Sequence, residues 1–311
     1  MQKKVHKYFV DSAHSGARVD KYVVSMLDGF SRSHVQKLID NGHVTVGGER
    51  VSAHHRVYKG NEVTVYVPEL RKEGVVPEDI PLDILYEDEH IIVINKPAGL
   101  VVHPATGNYS HTLVNALLNH TGDLSTVGGE MKRGIVHRLD MGTSGCMVVA
   151  KKDGAHLRLS AQFKDREVFK EYLALVKGVC RLDFGRVTVS LGRHPTRRTK
   201  MSVRRPESGR DAESEYEVIK RFKDATLIKV VMRSGRTHQI RVHMAHIGYP
   251  VVGDSQYGHG ARGLAARLGV ERQMLHAHRL GFRHPATNEY VQFEAPMPED
   301  MKKAIAQLEA E

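Results

Sequence analysis

Apolar positions near the start of the chain recur at helical spacing. Between residues 19 and 27 they return every three or four residues, which predicts a helix. Ser31 or Ser33 can cap a second helix, and Ser33 with Gln36 fits a capping box. That helix is predicted to end at the Asn-Gly pair at 41–42.

The spacing then changes from helical to alternating. Residues 44–51 surround a Gly-Gly pair and predict a hairpin, and residues 63–67 predict a further strand. Residues 1–15 are polar and predict no element. Two short helices, a hairpin and a strand therefore make a small first module, placed at 16–76, and a charged linker with two prolines follows at 77–83.

Continuous apolar runs mark a large second domain, placed at 84–308. The runs at 91–94 and 146–150 predict buried strands, because a strand covered on both faces has few polar positions. Residues 170–176 alternate and predict a strand that carries Tyr172.

Shorter patterns predict the remaining elements of this domain. Helices are predicted at 112–118, 157–163, 240–247 and 301–308, and strands at 214–219, 227–232, 275–282 and 290–293. Residues 260–274 are interpreted as a poorly determined insertion. Strands and helices in no regular alternation predict an α+β fold rather than a doubly wound parallel sheet.

The composition of the chain predicts an anionic binding partner. The 311 residues are 41% hydrophobic, which is enough for the cores of a small and a large domain. The formal net charge of +10 favours nucleic acid as the partner over the alternative of a generally basic soluble enzyme. The two cysteines lie in or beside apolar runs, which indicates a reducing compartment without disulfides. No secretory or membrane-spanning run is present in the sequence, so we expect a cytoplasmic protein without membrane contact.

A basic run at 192–206 contains no acidic residue. It cannot bury a core face, so we predict an exposed loop. This loop is either solvated and flexible or an arm that follows RNA phosphates, and the clustering of like charge favours the arm. Its candidate RNA contacts are Arg197, Arg198 and Lys200.

The run from Gly134 to Gly145 contains a single carboxylate, Asp140. Glycines at both ends and in the middle let the backbone turn sharply or approach a ligand, so the loop can aim this acid. A guanidinium beside the acid would keep it ionised, and a carboxylate can act as nucleophile or base at a sugar carbon. An aspartate in a loop is otherwise a turn or cap residue.

Twenty histidines suggest a metal site, but their spacing argues against one. His238 and His243 are five positions apart and do not share a helix face, and His243 with His246 is only a pair. No Cys-x-x-Cys, Walker loop or dinucleotide fingerprint is present in the sequence. We therefore expect neither a metal nor a cofactor.

Several longer motifs resemble the RNA pseudouridine synthases of the RluA/RluD type. They are Gly-Ile-Val-His-Arg-Leu-Asp at 134–140, Asn-Lys-Pro-x-Gly at 95–99, Lys-Glu-Tyr at 170–172, Gly-Arg-Thr-His-Gln-Ile-Arg at 235–241 and Gly-Asp at 253–254. The resemblance extends over almost the whole chain. It implies a catalytic domain built on a mixed, mainly antiparallel sheet flanked by helices.

Members of that family convert uridine in RNA to pseudouridine without a cofactor or a metal. The resemblance implies that Asp140 is the essential catalytic residue and that Arg241 pairs with it. Tyr172 would pack on the uracil and is a candidate to remove the final proton. Arg138 would enter the gap that the flipped uridine leaves, since a base inside a duplex has to be extruded before chemistry, and Ile240 would pack near that base.

The first module resembles the S4 RNA-binding domain. The likeness rests on Arg18, Asp20, Ser31–Ser33, Lys37 and Gly42. It implies that Arg32, Ser33 and Lys37 contact RNA phosphate, whereas the alternative is a solvated helix face.

The basic run and the S4-like module make the chain most similar to members that modify large-subunit ribosomal RNA. The resemblance implies this RNA as partner, free or in a pre-ribosomal particle, with transfer RNA or another ribosomal site as the alternative. We expect a monomer, because no interface pattern is present. Two other classes stay open: a non-catalytic RNA-binding protein, and a glycoside hydrolase, which usually needs two carboxylates around the bond.

Overall fold

The computed structural model describes residues 3–27, 30, 32–68, 75–105, 108–197 and 199–311. The chain forms two compact units, the first within Met1–Glu73 and the second within Gly74–Glu311. Each unit has its own sheet and its own buried core.

Two helices and a small sheet make the first unit. Its elements are β1 (Lys3–Phe9), α1 (Val19–Met26), α2 (Arg32–Asp40), β2 (Val44–Val46), β3 (Glu49–Arg50) and β4 (Glu62–Pro68). The strands lie in the order β1-β4-β2-β3 and pair antiparallel. The helices, hairpin and strand predicted for this module are all present.

Two local predictions for the first unit are wrong. The polar stretch at 1–15 contains the edge strand β1, whose apolar residues Val5 and Phe9 are 48% and 69% exposed and so give no signal of burial. Ser33 is the second residue of α2 rather than its cap, and the side-chain amide of Gln36 donates to Asp20 at 3.3 Å. The alternative cap, Ser31, lies outside the described residues.

The second unit is built around one large sheet. Its elements are β5 (Ile84–Glu87), β6 (Ile91–Lys96), α3 (Leu113–His120), β7 (Ser144–Ala150), α4 (Asp153–Asp165), β8 (Phe169–Lys177), β9 (Phe184–Arg193), β10 (Met201–Arg204), β11 (Arg210–Arg221), β12 (Ala225–Met232), α5 (Gln239–His246), α6 (Arg262–Arg267), β13 (Leu275–Arg283), β14 (Tyr290–Glu294) and α7 (Glu299–Glu309). Within the described residues the sheet has ten strands in the order β10-β9-β11-β12-β8-β13-β7-β6-β5, with β14 paired to β13. The β13–β7 pair is parallel and the other pairs are antiparallel, which confirms the predicted α+β fold.

The centre of the sheet positions the candidate site. Strand β8 is buried on both faces: Tyr172 and Ala174 belong to the core that includes α3 and α5, whereas Leu173 belongs to the core that includes α6 and α7. Strand β7 is buried along its whole length and receives the Asp140 loop at its start.

Two segments of the second unit differ from their predictions. The basic run at 192–206 is not simply a loop, because β9 and β10 pair across it as a hairpin whose apolar side chains, including Leu191 and Val203, pack with Val242. The predicted insertion at 260–274 contains α6, which contributes to the core. Only a few apolar residues of each segment are buried. Because polar residues outnumber them in the sequence, the pattern gives no clear signal of a helix or a strand.

The segment that precedes β5 packs onto the second unit. Val75 and Leu82 pack against its main core, and the side-chain amide of Asn115 donates to the carbonyl of Val76 at 2.8 Å. The domain limits 16–76, 77–83 and 84–308 remain predictions. The first of them leaves out β1, and the predicted linker lies against the second unit.

Candidate active site

Two glycines fix the ends of the loop that carries Asp140. Gly134 has φ +71°, and a Cβ there would lie 2.7 Å from the carbonyl oxygen of Ala150. Gly145 has φ +117°, and a Cβ there would lie 2.1 Å from the carbonyl oxygen of Ala277 on β13. Both positions exclude a side chain, so the loop can only enter β7 with glycine at these two points.

Side chains of the loop divide between the protein interior and the cavity. His137 stacks on Phe163 with ring centroids 4.4 Å apart, and its Nε2 accepts a hydrogen bond from the backbone N–H of Val148 at 3.0 Å. Burial lowers the pKa of His137 to about 3, and the charge of Lys170 adds to this effect, so the ring is neutral and can accept. Leu139 is buried, whereas Arg138 is exposed beside the cavity.

Lys96, at the end of β6, contacts the loop that carries Asp140. Its side chain is fully buried, and its Nζ donates to the carbonyls of Pro97, Leu100 and Met141 at 2.6, 2.9 and 3.3 Å. Burial lowers the pKa of Lys96 to about 7, and the charge of Arg272 lowers it further, whereas that of Asp140 opposes both. Three carbonyl acceptors match the three N–H groups of an ammonium and fix the residue that follows Asp140.

Arg241 joins Asp140 to a second carboxylate. Its Nη1 donates to Asp140 Oδ2 at 2.8 Å, while Nε and Nη2 donate to Asp254 at 2.7 and 2.9 Å. Asp254 is fully buried and also accepts backbone N–H groups of Gln256 and Tyr257 at 2.8 and 3.0 Å. Burial raises the pKa of the Asp254 carboxyl, but the Arg241 hydrogen bond and charge outweigh it and lower that pKa. The guanidinium is thus fixed between two anions.

The start of α5 is anchored by Gln239. Its amide oxygen accepts from Ser234 Oγ and the N–H of Arg236 at 2.8 and 2.9 Å. Its amide nitrogen donates to Glu213 and Ser214 on β11 at 2.8 and 2.9 Å. Every hydrogen-bonding position of this buried amide is used, so the helix that carries Arg241 has a fixed origin on the sheet.

His238 and Tyr257 complete the surroundings of Asp140. His238 has φ +56°, and its Nε2 lies 3.8 Å from Asp140 Oδ1. Its Nδ1 is 2.9 Å from the hydroxyl of Tyr257, whose ring lies 5.1 Å from the guanidinium carbon of Arg241. Burial lowers the pKa of His238, so the ring is uncharged near neutral pH.

Asp140 opens into a cavity of about 420 Å³. Among the lining residues are six arginines and lysines and one carboxylate: Arg138, Lys164, Arg166, Lys170, Arg236, Arg241 and Asp140. Tyr172 and Ile240 also line the cavity, and these two residues are only 9% and 3% exposed. The volume suits a small ligand, and the charge suits an anionic one.

Five of the predicted site residues therefore meet in one place. Asp140, Tyr172, Arg241, Arg138 and Ile240 all line this cavity, although they come from three separate stretches of the chain. Their catalytic and substrate-binding roles remain predictions.

The predicted RNA contacts lie elsewhere. Arg32 donates through Nε and Nη2 to the buried Asp20 at 3.1 and 2.9 Å, and Lys37 is exposed. Arg197 is exposed at the tip of the β9–β10 hairpin, and Lys200 Nζ donates to the carbonyl of Gln256 at 2.6 Å. The side chain of Ser33 and the whole of Arg198 lie outside the described residues.

Sequence reasoning did not give roles to four residues of the site. Lys96 and Asp254 stand in the family motifs, but nothing in the sequence shows that one holds the Asp140 loop and the other holds Arg241. His238 is considered in the sequence only as a metal ligand, and Tyr257 has no predicted role. A lysine at the end of a continuous apolar run is the signal that could have identified Lys96.

Within the described ranges, no three or more His, Cys, Asp or Glu residues are grouped so that they could hold a metal ion. No helix in these ranges is long and apolar enough to cross a membrane.

Comparisons with known proteins identify the family of the chain. Residues 90–246 match the model of the RNA pseudouridylate synthase family, and residues 17–63 match the S4 domain. The uncharacterized RNA pseudouridine synthase YlyB of Bacillus subtilis is 44% identical over 94% of this chain and 94% of its own length. The ribosomal large subunit pseudouridine synthase D of Zymomonas mobilis is 43% identical over the same shares of both chains.

A solved structure gives the same result. Human RNA pseudouridylate synthase domain containing 1 superimposes with a TM-score of 0.58 at 25% identity, over 75% of this chain and 97% of that one. The family expected from the motifs is thereby confirmed. The chain belongs to the RNA pseudouridylate synthase family and carries an S4 domain, and it is an RNA-modifying isomerase of that family.

Proposed function

We propose that this enzyme converts specific uridines of large-subunit ribosomal RNA to pseudouridine, with Asp140 as the catalytic residue. The observation that carries the proposal is a carboxylate held by Arg241 in a cavity lined by cations. Relatives named ribosomal large subunit pseudouridine synthase D, from Zymomonas mobilis and Pseudomonas aeruginosa, are each 43% identical and support this choice of RNA. Transfer RNA or another ribosomal site is the alternative substrate.

The reaction is an isomerisation and balances without a co-reactant. The bond between N1 of uracil and C1′ of ribose breaks, the base turns, and C5 forms the new bond to C1′. The proton that leaves C5 is matched by one gained at N1. The assignment to Asp140 is supported by its two oxygens: Oδ2 accepts from Arg241, whereas Oδ1 accepts no hydrogen bond within the described residues and lies 3.8 Å from His238 Nε2.

Tyr172 fits the packing role better than that of a base. Burial raises the pKa of its phenol well above the usual value, and the charge of Asp140 raises it further. The phenol therefore keeps its proton at neutral pH, and its ring forms a wall against which a flat base can lie. Ile240 supplies a second apolar surface, and the exposed Arg138 is free to enter the RNA.

The first experiment is release of tritium from RNA that carries 5-tritiated uridine. Large-subunit ribosomal RNA and transfer RNA are incubated with the wild type, with Asp140→Asn, and with Asp123→Asn as a surface control. We expect release from ribosomal RNA by the wild type and the control, and a loss of at least about 100-fold for Asp140→Asn. Mapping the modified positions then identifies the uridines.

Other results would change the proposal in defined ways. Release from transfer RNA alone would keep the chemistry and reject the ribosomal substrate. Free uracil in the supernatant would favour glycoside hydrolysis, and RNA binding without release would favour a non-catalytic binding protein. The cytoplasmic location, the monomeric state and a pre-ribosomal substrate remain predictions that this assay does not address.

A further inference from the structure

The side chain of Lys170 is mostly buried, and its ammonium group has no hydrogen-bond or ion-pair partner among the described residues. It lies on β8, is 7% exposed and lines the cavity. Within the described residues its Nζ makes no hydrogen bond or ion pair, and the recorded contact is the Phe163 ring, whose centroid is 6.0 Å away. The neighbouring Glu171 points to the other face of the strand, where its carboxylate lies 3.5 Å from Arg279. Lys170 therefore presents its charge to the cavity.

A charge in such a place is unfavourable for the free protein. Burial lowers the pKa of Lys170, and the positive charge of Arg166 lowers it further. The surroundings of Lys170 in the free protein therefore disfavour the protonated ammonium form. Buried charges are normally paired. An anionic group that enters the cavity would supply the missing partner.

The surroundings of Lys170 are shaped for an anion as well. Arg166 ends α4 with φ +65°, a conformation that ordinarily favours glycine, and its side chain is exposed beside the cavity. Gly235 also lines the cavity, and a Cβ added there would lie 4.0 Å from Lys170 Nζ. The next residue, Arg236, also lines the cavity. Three cations thus line the cavity, and Asp140 is the one carboxylate among its lining residues within the described structure.

We propose that Lys170, with Arg166 beside it, binds one backbone phosphate of the RNA next to the uridine that enters the cavity. The proposal rests on the proposed function in that the ligand is RNA. An ammonium acts as a point charge toward a phosphate and needs no fixed orientation of the phosphate oxygens. Because Lys170 and Asp140 line the same cavity, a phosphate bound at Lys170 would fix the adjoining ribose relative to the catalytic carboxylate.

The test measures RNA binding rather than turnover. Lys170→Met is made in the Asp140→Asn protein, and Lys177→Met, an exposed lysine on the same strand, is the matched control. We expect the Kd for the mapped RNA stem-loop to rise about tenfold or more in Lys170→Met, as for the loss of a hydrogen bond between charged groups. The slope of log Kd against log salt should become shallower by about 0.7 to 0.9, and the control should keep both values.

A neutral phosphate identifies the partner. Methylphosphonate is placed singly at each linkage that flanks the target uridine. At one linkage it should weaken binding by the parent protein about as much as Lys170→Met does, and it should have no further effect on the variant. Equal losses in both proteins at every linkage, or an unchanged Kd and salt slope for Lys170→Met, would overturn the proposal.

Stability measurements separate this role from a structural one. Removal of an uncompensated buried charge should raise the melting temperature of the free protein, so Lys170→Met is expected to be more stable while it binds RNA less well. A lower melting temperature together with weaker binding would indicate a structural role and reject the proposal. Lys170→Gln gives a second uncharged variant. Measured on full-length large-subunit ribosomal RNA, the Kd, the salt slope and the melting temperature require no turnover and stay readable if the tritium assay fails. The methylphosphonate test alone needs the mapped uridine.

Discussion

Arg241 can hold Asp140 in one orientation because Asp254 holds Arg241. The buried Asp254 accepts two N–H groups of the guanidinium and two from the backbone, so the arginine has a fixed position before any substrate arrives. An oriented charge of this kind does not have to reorganise during the reaction. Asp254 does not line the cavity, and it acts on the chemistry only through Arg241.

Asp254→Asn should lower kcat with little change in the KM for RNA. The amide cannot accept both N–H groups of the guanidinium while it accepts from the backbone, so Arg241 loses its fixed position and Asp140 loses its own. We expect a fall in kcat of at least about tenfold, together with a lower melting temperature, since breaking a buried ion pair costs about 3–5 kcal/mol.

The matched control for this variant is Asp224→Asn. Asp224 pairs with Arg267, but both side chains are about 40% exposed, and exposed pairs contribute at most about 1 kcal/mol. Tritium release at saturating and limiting RNA gives kcat and KM separately. A rise in KM with unchanged kcat would mean that Asp254 contributes to RNA binding and not to the orientation of Asp140.

At the scale of elements, Tyr257 connects the β9–β10 hairpin to α5. Its hydroxyl accepts the backbone N–H of Met201 at 2.7 Å and lies 2.9 Å from His238 Nδ1. A hydroxyl that accepts from Met201 still has its own proton to donate. If Nδ1 of His238 accepts that proton, the proton of the neutral ring lies on Nε2, on the side of Asp140. Through His238, this phenol connects the basic hairpin to the surroundings of Asp140.

Tyr257→Phe should weaken this connection without emptying the core. The ring remains to pack on Arg241, but His238 loses the donor that selects its tautomer, and the hairpin loses an anchor. We expect the single-turnover rate at saturating RNA to fall about three- to tenfold, and nitrogen NMR of the histidines to show a changed tautomer ratio for His238. An unchanged rate with an altered tautomer ratio would separate the two effects and reject a catalytic role for the tautomer.

The same elements explain what the sequence could and could not predict. Strands β7 and β8 were predictable because their apolar residues are buried on both faces. The hairpin strand β10 was not, because its four residues are only partly buried and stand among arginines. Asp140, Tyr172 and Arg241 were found through contiguous motifs, whereas the Lys96–Met141 and Tyr257–Met201 contacts join residues 45 and 56 positions apart, and no local pattern encodes them.

In the first unit, α1 and α2 are joined through one carboxylate. Asp20 is fully buried and accepts from Arg18 and Arg32, whose side chains are 28% and 49% exposed, and from Gln36. Burial raises the pKa of Asp20, but the hydrogen bonds from these three residues outweigh it and lower the pKa to about 2. Arg32 is thus positioned by the fold while part of it remains available to RNA.

Asp20→Asn should destabilise this unit in a pH-dependent way. A depressed folded pKa contributes stability above the unfolded pKa of about 3.9, and the contribution is lost as the pH falls toward about 2. The difference of about two units corresponds to about 2.5 kcal/mol. Hydrogen exchange gives the free energy of opening of α1 and α2 in wild type and variant at equal pH. The difference between the two proteins should have its full value at pH 6 and approach zero near pH 2. A constant difference across this range would reject the carboxylate as its source.

At the scale of the whole molecule, the chemistry and the S4 domain belong to separate units. The large sheet, the cavity and the residues that hold Asp140 all lie within 75–311, and the first unit has a core of its own. Two units with separate cores can contribute to one enzyme additively: one supplies the reaction and the other supplies additional affinity for RNA.

Removal of residues 1–74 should therefore raise KM and leave kcat nearly unchanged. The truncated chain keeps its complete sheet, so it should fold, which far-UV circular dichroism and a cooperative melting transition would establish. Its affinity for RNA should fall and depend less steeply on salt, because phosphate contacts from the first unit are lost. At saturating RNA, tritium release should approach that of the full chain. If the truncated chain folds but its kcat falls as far as its affinity, the S4 domain takes part in positioning the target uridine, and the division of labour between the units is rejected.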